Sequence, residues 1–271
     1  MSIVIMVDGG INITRQMIKI YSIDVSPYNL IINDQIYRDT IDIKNQKDLK
    51  DLIYEYKGLP QIVNISIDQI KQKMRKCIEK GDDILYITTS SKLSSSYENV
   101  MEASREFNSN MIEVIDSLNV GGGLTLLMIK AREYIDKGYG LKQIAKNLNS
   151  IKNSIKSCYM IGCLNDISMV LNDKPSIPIL EIDKGRAIVT YTAKDKELAL
   201  QILKNTVLDN ISYVKDAPIV ISYSGDKSIT NRLKQYIKKN LSENVLVLEN
   251  NAAICINAGY DTISLSFLAK K

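Results

Sequence analysis

Histidine is missing from this sequence: none of the 271 residues is a histidine. A Ser–His or Cys–His catalytic pair is therefore excluded, because the general base of such a pair is an imidazole. A phosphohistidine carrier is excluded for the same reason, as is any zinc site with a histidine ligand. An enzyme built on this chain would need Asp8, Asp116 or a serine to act without the usual base.

Cysteines and long apolar runs are also scarce. Cys77, Cys158, Cys163 and Cys255 are scattered and form no C-x-x-C pair, which is typical of buried, reduced thiols in a cytoplasmic protein rather than of a metal site. No apolar run approaches the roughly 20 residues that a membrane-spanning helix needs. Residues 1–8 lack a basic region and are typical of a core strand rather than of a signal peptide. We therefore expect a cytoplasmic protein without a membrane span.

A strong excess of charge of one sign is missing as well. The chain has 35 lysines and arginines against 31 acidic residues, a formal net charge of +4. Such a small excess, spread along the chain, gives little support for binding to nucleic acid or to a membrane surface. The 15 tyrosines follow no stacking motif for nucleic acid. We therefore expect no nucleic-acid partner.

What is present is a regular alternation of strands and helices in the first half. Short apolar runs at residues 3–7, 84–88 and 111–115 predict buried strands. Ser66, with Gln69 at the capping-box position, predicts the start of a helix. Further helices are predicted at residues 96–107, 124–137 and 141–155. This alternation predicts a doubly wound parallel sheet with helices on both faces.

The second half has a different pattern, in which short strands dominate. Strands are predicted at residues 157–163, 179–182, 187–192, 219–223, 245–248 and 264–269, and helices at 196–206 and 228–240. We therefore predict an α/β protein of two domains. Residues 1–150 form the doubly wound domain, and residues 151–271 form a smaller α+β domain with a mixed sheet.

Three turns follow predicted strands, at residues 8–10, 88–96 and 116–123. Open parallel sheets bind ligands at the carboxyl ends of their strands. The serine-rich turn at 88–96 offers hydroxyls and backbone N–H groups that suit a carboxylate or a phosphate, although the same serines also fit a capping role. The glycines at 121–123 would let a backbone approach a ligand closely. Asp8 and Asp116 suit either acid–base chemistry or the capping of turns.

Five segments, in order along nearly the whole chain, match the motifs of one protein family. The most specific is Ser-Ser-Lys-Leu-Ser-Ser-Ser-Tyr at residues 90–97, which is similar to S-S-x-L-S-G-T-Y. The other segments are residues 7–13, 21–39, 115–123 and 178–185, which resemble T-D-S-T-x-D-L, Y-G-I…P…Y-x-D, V-D-S…G-x-G and K-P-I-L…D-G. In their order and spacing these segments resemble the DegV family of bacterial fatty-acid-binding proteins.

The resemblance implies two domains that enclose an apolar tunnel for a long-chain fatty acid, with the carboxylate held between them. It also implies a carrier that presents the fatty acid to a separate ATP-dependent fatty acid kinase and has no cofactor, metal or catalysis of its own. A monomer is expected, because family members are self-contained two-domain units. The tunnel is expected to run from Ser94 into one of the domains. The head-group-binding turns are assigned to residues 1–150, and the domain of residues 151–271 is expected to enclose the acyl tunnel.

The family's head-group ligands are carried over only in part. Ser94 matches the family's serine, and Ser95 replaces the glycine beside it. Ile62 stands where the motif P-x-T-S-Q-P has its threonine, and Asn257 stands where H-x-G-P-G has its histidine. Asn257 can still donate a hydrogen bond, whereas Ile62 cannot, which is expected to weaken carboxylate binding. The segment between Leu164 and Pro178 is also shorter than in the family.

Two other interpretations stay open. Loss of the threonine and the histidine reduces the stabilisation of negative charge, which favours an elongated apolar ligand with a neutral polar head. The fold also resembles domains of dihydroxyacetone kinases and mannose-type phosphotransferase subunits. Those proteins use an active-site histidine, so an enzyme of this kind would have to be independent of histidine.

Overall fold

The computed structural model describes residues 2–58, 60–162, 176–209 and 217–269. The strands are β1 (Ile3–Asp8), β2 (Ile23–Ser26), β3 (Asn29–Ile32), β4 (Gln35–Arg38), β5 (Gln61–Val63), β6 (Asp83–Thr88), β7 (Ile112–Asp116), β8 (Ile155–Met160), β9 (Ile177–Asp183), β10 (Arg186–Ala193), β11 (Ile219–Tyr223), β12 (Val245–Glu249) and β13 (Ile263–Leu268). The helices are α1 (Arg15–Tyr21), α2 (Gln46–Tyr56), α3 (Ile67–Ile78), α4 (Ser96–Ser104), α5 (Gly122–Asp136), α6 (Leu141–Ile151), α7 (Lys196–Asp209), α8 (Lys227–Asn240) and α9 (Ala252–Ala258). Within the described residues these elements build three sheets.

The first sheet is the parallel sheet that the sequence predicts. Its strand order is β2-β1-β6-β7, and each neighbouring pair runs parallel. Successive side chains of a strand point to opposite faces. Met6 packs with α3 and α4, whereas Ile5 and Val7 pack with α5 and α6. Helices therefore cover both faces, which confirms the doubly wound arrangement and explains why β1 is a continuous apolar run.

Helix α3 begins where the capping-box pattern predicts. Ser66 Oγ accepts a hydrogen bond from the Gln69 N–H (3.3 Å), and Gln69 Oε1 accepts one from the Ser66 N–H (3.2 Å). Other predicted helix ends differ by a few residues. Helix α4 ends at Ser104 rather than at residue 107, and α6 ends at Ile151 rather than at residue 155, because a 3-10 turn and β8 follow it.

The second sheet is mixed, as predicted for the C-terminal half. Its order is β10-β9-β8-β13-β11-β12, and β11–β12 is its parallel pair. Helices α7 and α8 pack on one face around Ile221 and Leu265. Of the strand predicted at 157–163, β8 covers the part up to Met160, and Cys163 lies outside the described residues. Most of the shortened segment, residues 164–175, also lies outside them.

Helix α5 packs against both the parallel and the mixed sheet. A Cβ atom on Gly122 would lie 3.0 Å from both Ser266 Oγ and Val220 Cγ1. At Gly122 the backbone therefore approaches the mixed sheet. A close approach of the glycine run to a ligand stays a prediction. The buried cluster around α5 contains Val7 from β1 and Val220 from β11. The two halves of the chain therefore share a buried cluster, and this cluster does not mark a boundary between them. The division of the chain at residue 150 stays a prediction.

The third sheet is small and antiparallel, with the order β4-β3-β5, and the sequence pattern does not predict it. Leu30 of β3 packs with Leu49 of α2 and Ala252 of α9. A helix near the C-terminal end of the described chain thus closes on a sheet from the first half. The strands have only three or four residues and β4 is largely exposed. No alternating apolar run is therefore long enough to reveal them.

The thiols in the described part of the chain are free, but they differ in burial. Cys158 and Cys255 are buried, as expected, and burial raises the pKa of each to about 12. Cys77 is only half-buried, contrary to expectation, because it lies near the end of α3 at the edge of a buried cluster. No helix within the described ranges is both long and apolar enough to cross a membrane.

Candidate functional site

A cavity of about 580 Å³ lies where the carboxyl end of the parallel sheet, the small antiparallel sheet, α9 and the mixed sheet meet. Protein cavities that bind small molecules commonly measure about 300–1,000 Å³. Its apolar wall consists of Ile62, Leu93, Val120, Ile161, Leu180, Ile182, Ala187, Ala253, Ile254 and Ala258. Its polar side chains are Tyr28, Asn64, Thr89, Ser94, Tyr159 and Asn257. Among the described residues that line the cavity, none carries a charge.

Three of the four predicted head-group residues line this cavity, although they come from distant segments. Ser94 lies in the serine-rich turn, Ile62 on β5 and Asn257 on α9. Ile62 and Ser94 are half-buried, and Asn257 is exposed. Ser95 lies outside the lining, and its exposed hydroxyl accepts a hydrogen bond from Asn64 Nδ2 (2.7 Å). The contribution of all four residues to ligand binding remains a prediction.

The Asp8 carboxylate is committed to the turns beside the cavity. Its Oδ1 accepts hydrogen bonds from the Gly10 N–H (3.0 Å) and the Thr89 hydroxyl (2.7 Å), and its Oδ2 accepts one from the Thr89 N–H (2.7 Å). Burial raises the pKa of Asp8 from its ordinary value, and these hydrogen bonds oppose the rise. Asp8 thus fixes the ends of β1 and β6 relative to each other. This is the turn-capping role, the alternative to acid–base chemistry.

The Asp116 carboxylate has a similar role in the next turn. Its Oδ2 accepts a hydrogen bond from the Ser91 hydroxyl (2.6 Å), and its Oδ1 accepts one from the Leu118 N–H (3.0 Å). Both carboxylates that the sequence offers for acid–base chemistry are therefore engaged in holding turns. This geometry gives no support to their use as a catalytic pair.

Sequence reasoning misses Tyr28, whose buried side chain lines the cavity. Tyr28 lies just beyond β2, and the loop after β1 packs directly on it. A Cβ atom on Gly9 would lie 2.8 Å from Tyr28 Cγ, so a side chain at position 9 would displace the ring. The Pro27-Tyr28 pair indicates a turn after a strand, but it carries no signal for the direction that the ring faces.

The Tyr28 hydroxyl lies within a group of hydroxyls at the polar end of the cavity. It is 3.2 Å from Thr89 Oγ1, 3.4 Å from Ser94 Oγ and 3.3 Å from Ser96 Oγ. Burial, together with the nearby Asp8 carboxylate, raises the pKa of Tyr28 above its ordinary value. The hydroxyl therefore stays protonated and remains a hydrogen-bond donor at physiological pH.

Ser94 is placed by its own turn and by Asn64. Its Oγ accepts a hydrogen bond from the Ser96 N–H (3.2 Å) and lies 3.0 Å from Ser96 Oγ. Its hydroxyl donates to Asn64 Oδ1 (3.3 Å). Asn64 follows β5, so the small antiparallel sheet and the serine-rich turn meet at this hydroxyl. The half-buried Ser94 is accessible to a ligand head that enters the cavity.

Buried polar side chains hold α9, the helix that carries Asn257. The Asn251 side chain accepts a hydrogen bond from the Ile254 N–H (2.9 Å) and donates to the carbonyls of Gly9 (2.6 Å) and Ile11 (2.9 Å). Asp39 accepts hydrogen bonds from the first two N–H groups of α9, at 3.2 and 3.0 Å. Burial raises the pKa of Asp39 to about 6. These contacts join α9 to the loop after β1 and to the small antiparallel sheet.

A second cavity, of about 510 Å³, lies on the other side of α9 and differs in its chemistry. Its lining includes Arg15, Asp39, Lys44, Lys227 and Glu249, so both signs of charge face it. An apolar chain buried there would remove charged groups from water at a high energetic cost. The uncharged cavity at Ser94 is therefore the better site for an apolar ligand.

Comparison with known proteins identifies the family of the chain. A family model described as "Uncharacterised protein, DegV family" matches residues 2–169. The chain belongs to the DegV family. A DegV domain-containing protein of Clostridium perfringens is 25% identical over 283 residues, which cover 97% of each chain.

Solved DegV structures resemble this DegV chain over its full length. A DegV lipid-binding protein from Thermotoga maritima superposes with a TM-score of 0.89 at 19% identity, covering 100% of this chain and 99% of that one. A DegV family protein from Thermus thermophilus, described by its fatty acid binding, gives a TM-score of 0.88 at 21% identity and covers 100% of both chains. At these identities the structural likeness establishes the fold of this DegV protein.

Proposed function

We propose that this DegV protein binds a long-chain fatty acid in the 580 Å³ cavity, with the carboxylate beside Ser94. The observation that carries this proposal is the convergence of Ile62, Ser94 and Asn257 on one uncharged and mostly apolar cavity. The description of the Thermus thermophilus relative as fatty acid binding supports the same ligand class. A role in binding is favoured over catalysis, because Asp8 and Asp116 are committed to turns.

The lining divides the cavity into a polar end and an apolar wall, as an amphipathic ligand requires. Burial of each methylene contributes about 0.8 kcal/mol, so the acyl chain supplies most of the affinity. The carboxylate must be hydrogen-bonded once it leaves water. Ser94 offers a neutral donor at the polar end, and the amide of Asn257 on α9 offers another to the same cavity.

In the proposed role the protein is a carrier that presents the carboxylate to a separate fatty acid kinase. The exposure of Ser95, next to Ser94 in the serine-rich turn, supports access of a kinase to the polar end. The kinase would transfer the γ-phosphoryl group of ATP to a carboxylate oxygen, with release of ADP and formation of an acyl phosphate. The proposal includes a monomeric, cytoplasmic carrier without a cofactor.

A neutral head group is a second candidate, and one observation favours it. The lining offers no cation among its described residues, while the Asp8 carboxylate lies behind Thr89 at 2.7 Å. Nearby negative charge disfavours an ionised carboxylate. A fatty alcohol or an acylglycerol would avoid this repulsion and use the same hydroxyl groups.

The first experiment is native mass spectrometry of the purified protein, followed by organic extraction and identification of the lipid. We expect the mass of a monomer carrying one fatty acid. Recovery of a neutral lipid instead of a fatty acid would favour the second candidate, a ligand with a neutral head group. Protein that carries no lipid, and does not bind added oleic acid or oleyl alcohol after delipidation, would contradict both.

Variants connect binding to the polar end of the cavity. Ser94→Ala removes a donor and should weaken oleate binding about tenfold or more. Ser104→Ala is the matched control, because its exposed hydroxyl donates to the Met101 carbonyl (2.8 Å). Equal affinities of the two variants would place the carboxylate elsewhere. Incubation of the oleate-loaded protein with a bacterial fatty acid kinase, ATP and hydroxylamine tests the carrier role, which fails if no hydroxamate forms.

A further inference from the structure

We infer that Tyr28 is a head-group ligand, whose hydroxyl supplies a hydrogen-bond donor to the lipid carboxylate where Ile62 supplies none. This inference rests on the proposed function and names a specificity-determining residue for it. Its basis is the distribution of protons among the hydroxyl groups at the polar end of the cavity.

The hydroxyl protons of Thr89 and Tyr28, both beside the cavity, differ in the strength of the hydrogen bonds that they make. Thr89 donates its proton to Asp8 at 2.7 Å, a short bond to a carboxylate. Tyr28 has three oxygen neighbours at 3.2, 3.4 and 3.3 Å. Hydroxyl hydrogen bonds normally measure about 2.5–3.0 Å. The Thr89 proton is therefore committed, whereas the Tyr28 proton has only long contacts and is free to turn towards a ligand.

Ser96 can provide a hydrogen bond to the Tyr28 oxygen when the Tyr28 proton turns towards a ligand. The contact between Tyr28 and Ser96 permits either oxygen to be the donor. When the Ser96 hydroxyl donates to the phenol oxygen, Tyr28 can donate to a carboxylate oxygen and still have a partner. Hydrogen bonds in such a chain strengthen one another. Tyr28 and Ser94, which line the same cavity 3.4 Å apart, can then donate to one carboxylate.

The position of the ring is fixed independently of any ligand. Tyr28 is 6% exposed, and the Gly9 backbone lies against it, so little side-chain entropy is lost on binding. Its neutral donor also suits this cavity, where no charged residue of the described lining offsets a carboxylate. A strong hydrogen bond from a neutral group favours the charged form of the acid.

The test compares Tyr28→Phe with Tyr223→Phe. Both rings are buried, but Tyr223 lies outside the lining of this cavity, and its hydroxyl donates to Glu249 Oε1 (2.9 Å). We expect Tyr28→Phe to weaken oleate binding about 10- to 100-fold, the usual value of a hydrogen bond to a charged group. Tyr223→Phe should change oleate binding by less than about threefold. A carbon-13 titration of carboxyl-labelled oleate should give a higher pKa for the bound acid in Tyr28→Phe only, a change that a structural role would not produce.

Two further results separate the possible failures. Wild-type protein that binds no oleate would overturn the proposed function, and this inference with it. Oleate binding with the same affinity and the same carboxyl titration in Tyr28→Phe and wild type would overturn this inference alone. If Tyr28→Phe does not fold, carbon-13 NMR of wild-type protein labelled at the tyrosine Cζ atoms tests the same inference. The Tyr28 resonance should then move on addition of oleate, and an unchanged resonance would overturn the inference.

Discussion

The exchange Ile62→Thr tests whether this protein has lost a head-group donor that its family uses. Ile62 lines the cavity on β5, directly paired with Leu30. Thr and Val have nearly the same shape, so Ile62→Val is the matched control that differs only by the hydroxyl. We expect Ile62→Thr to bind oleate more tightly than Ile62→Val does.

The size of the effect follows from the half-buried position of Ile62. In the empty cavity a new hydroxyl stays in contact with water, so it does not carry the full cost of an unpaired buried group. With oleate bound, it donates to a charged oxygen, which contributes about 1.5–3 kcal/mol. At about 1.4 kcal/mol per tenfold change, the two variants should differ roughly 10- to 100-fold. Both lose the same methyl group, at most about 0.8 kcal/mol, which cancels in the comparison.

The assay is isothermal titration calorimetry of delipidated protein with oleate below its micelle concentration. Oleyl alcohol provides a second comparison, and its neutral oxygen should gain less, about 0.5–1.5 kcal/mol. Unfolding in urea confirms that both variants are folded. If Ile62→Thr and Ile62→Val bind oleate equally, Ile62 does not face the head group, and its assignment from the family motif is refuted.

Other predictions concern the framework of the site. Because burial raises the pKa of Asp39 to about 6, above the unfolded value of about 3.9, this group's contribution to stability is complete below about pH 4 and is lost as the pH rises through 6. Asp39→Asn should flatten the pH dependence of the unfolding free energy by roughly 2–3 kcal/mol between pH 4 and 7, and an unchanged slope would contradict the shift. Gly122→Ala should destabilise the fold by about 1–3 kcal/mol in urea, because its Cβ would meet Ser266 at 3.0 Å. Gly140→Ala has nothing within 4 Å of its Cβ and changes only the N-cap of α6, so it should cost less than about 1 kcal/mol. Ala258→Phe should fill the cavity and abolish oleate binding without unfolding the chain, and retained binding would place the acyl chain elsewhere.

The elements that sequence reasoning located are those whose signal is local. The capping box at Ser66 and the apolar run of β1 depend on neighbouring residues, and both agree with the structure. The position of Ser94 beside a cavity follows from its turn at the carboxyl end of a parallel strand. Sequence reasoning did not predict the small antiparallel sheet, because its strands are too short to show an alternating apolar pattern.

By itself, the sequence determined the α/β class, the absence of imidazole chemistry and the order of motifs along the chain. These properties are fixed by composition and by short-range periodicity, which need no knowledge of distant contacts. The family resemblance predicts one site for Ile62, Ser94 and Asn257, but only the tertiary structure brings them to one cavity and adds Tyr28. The contacts that bring them together, such as Asn251 with the carbonyl of Gly9 (2.6 Å), join residues more than 200 positions apart. Such contacts depend on how helices and sheets pack, and no local pattern encodes that packing.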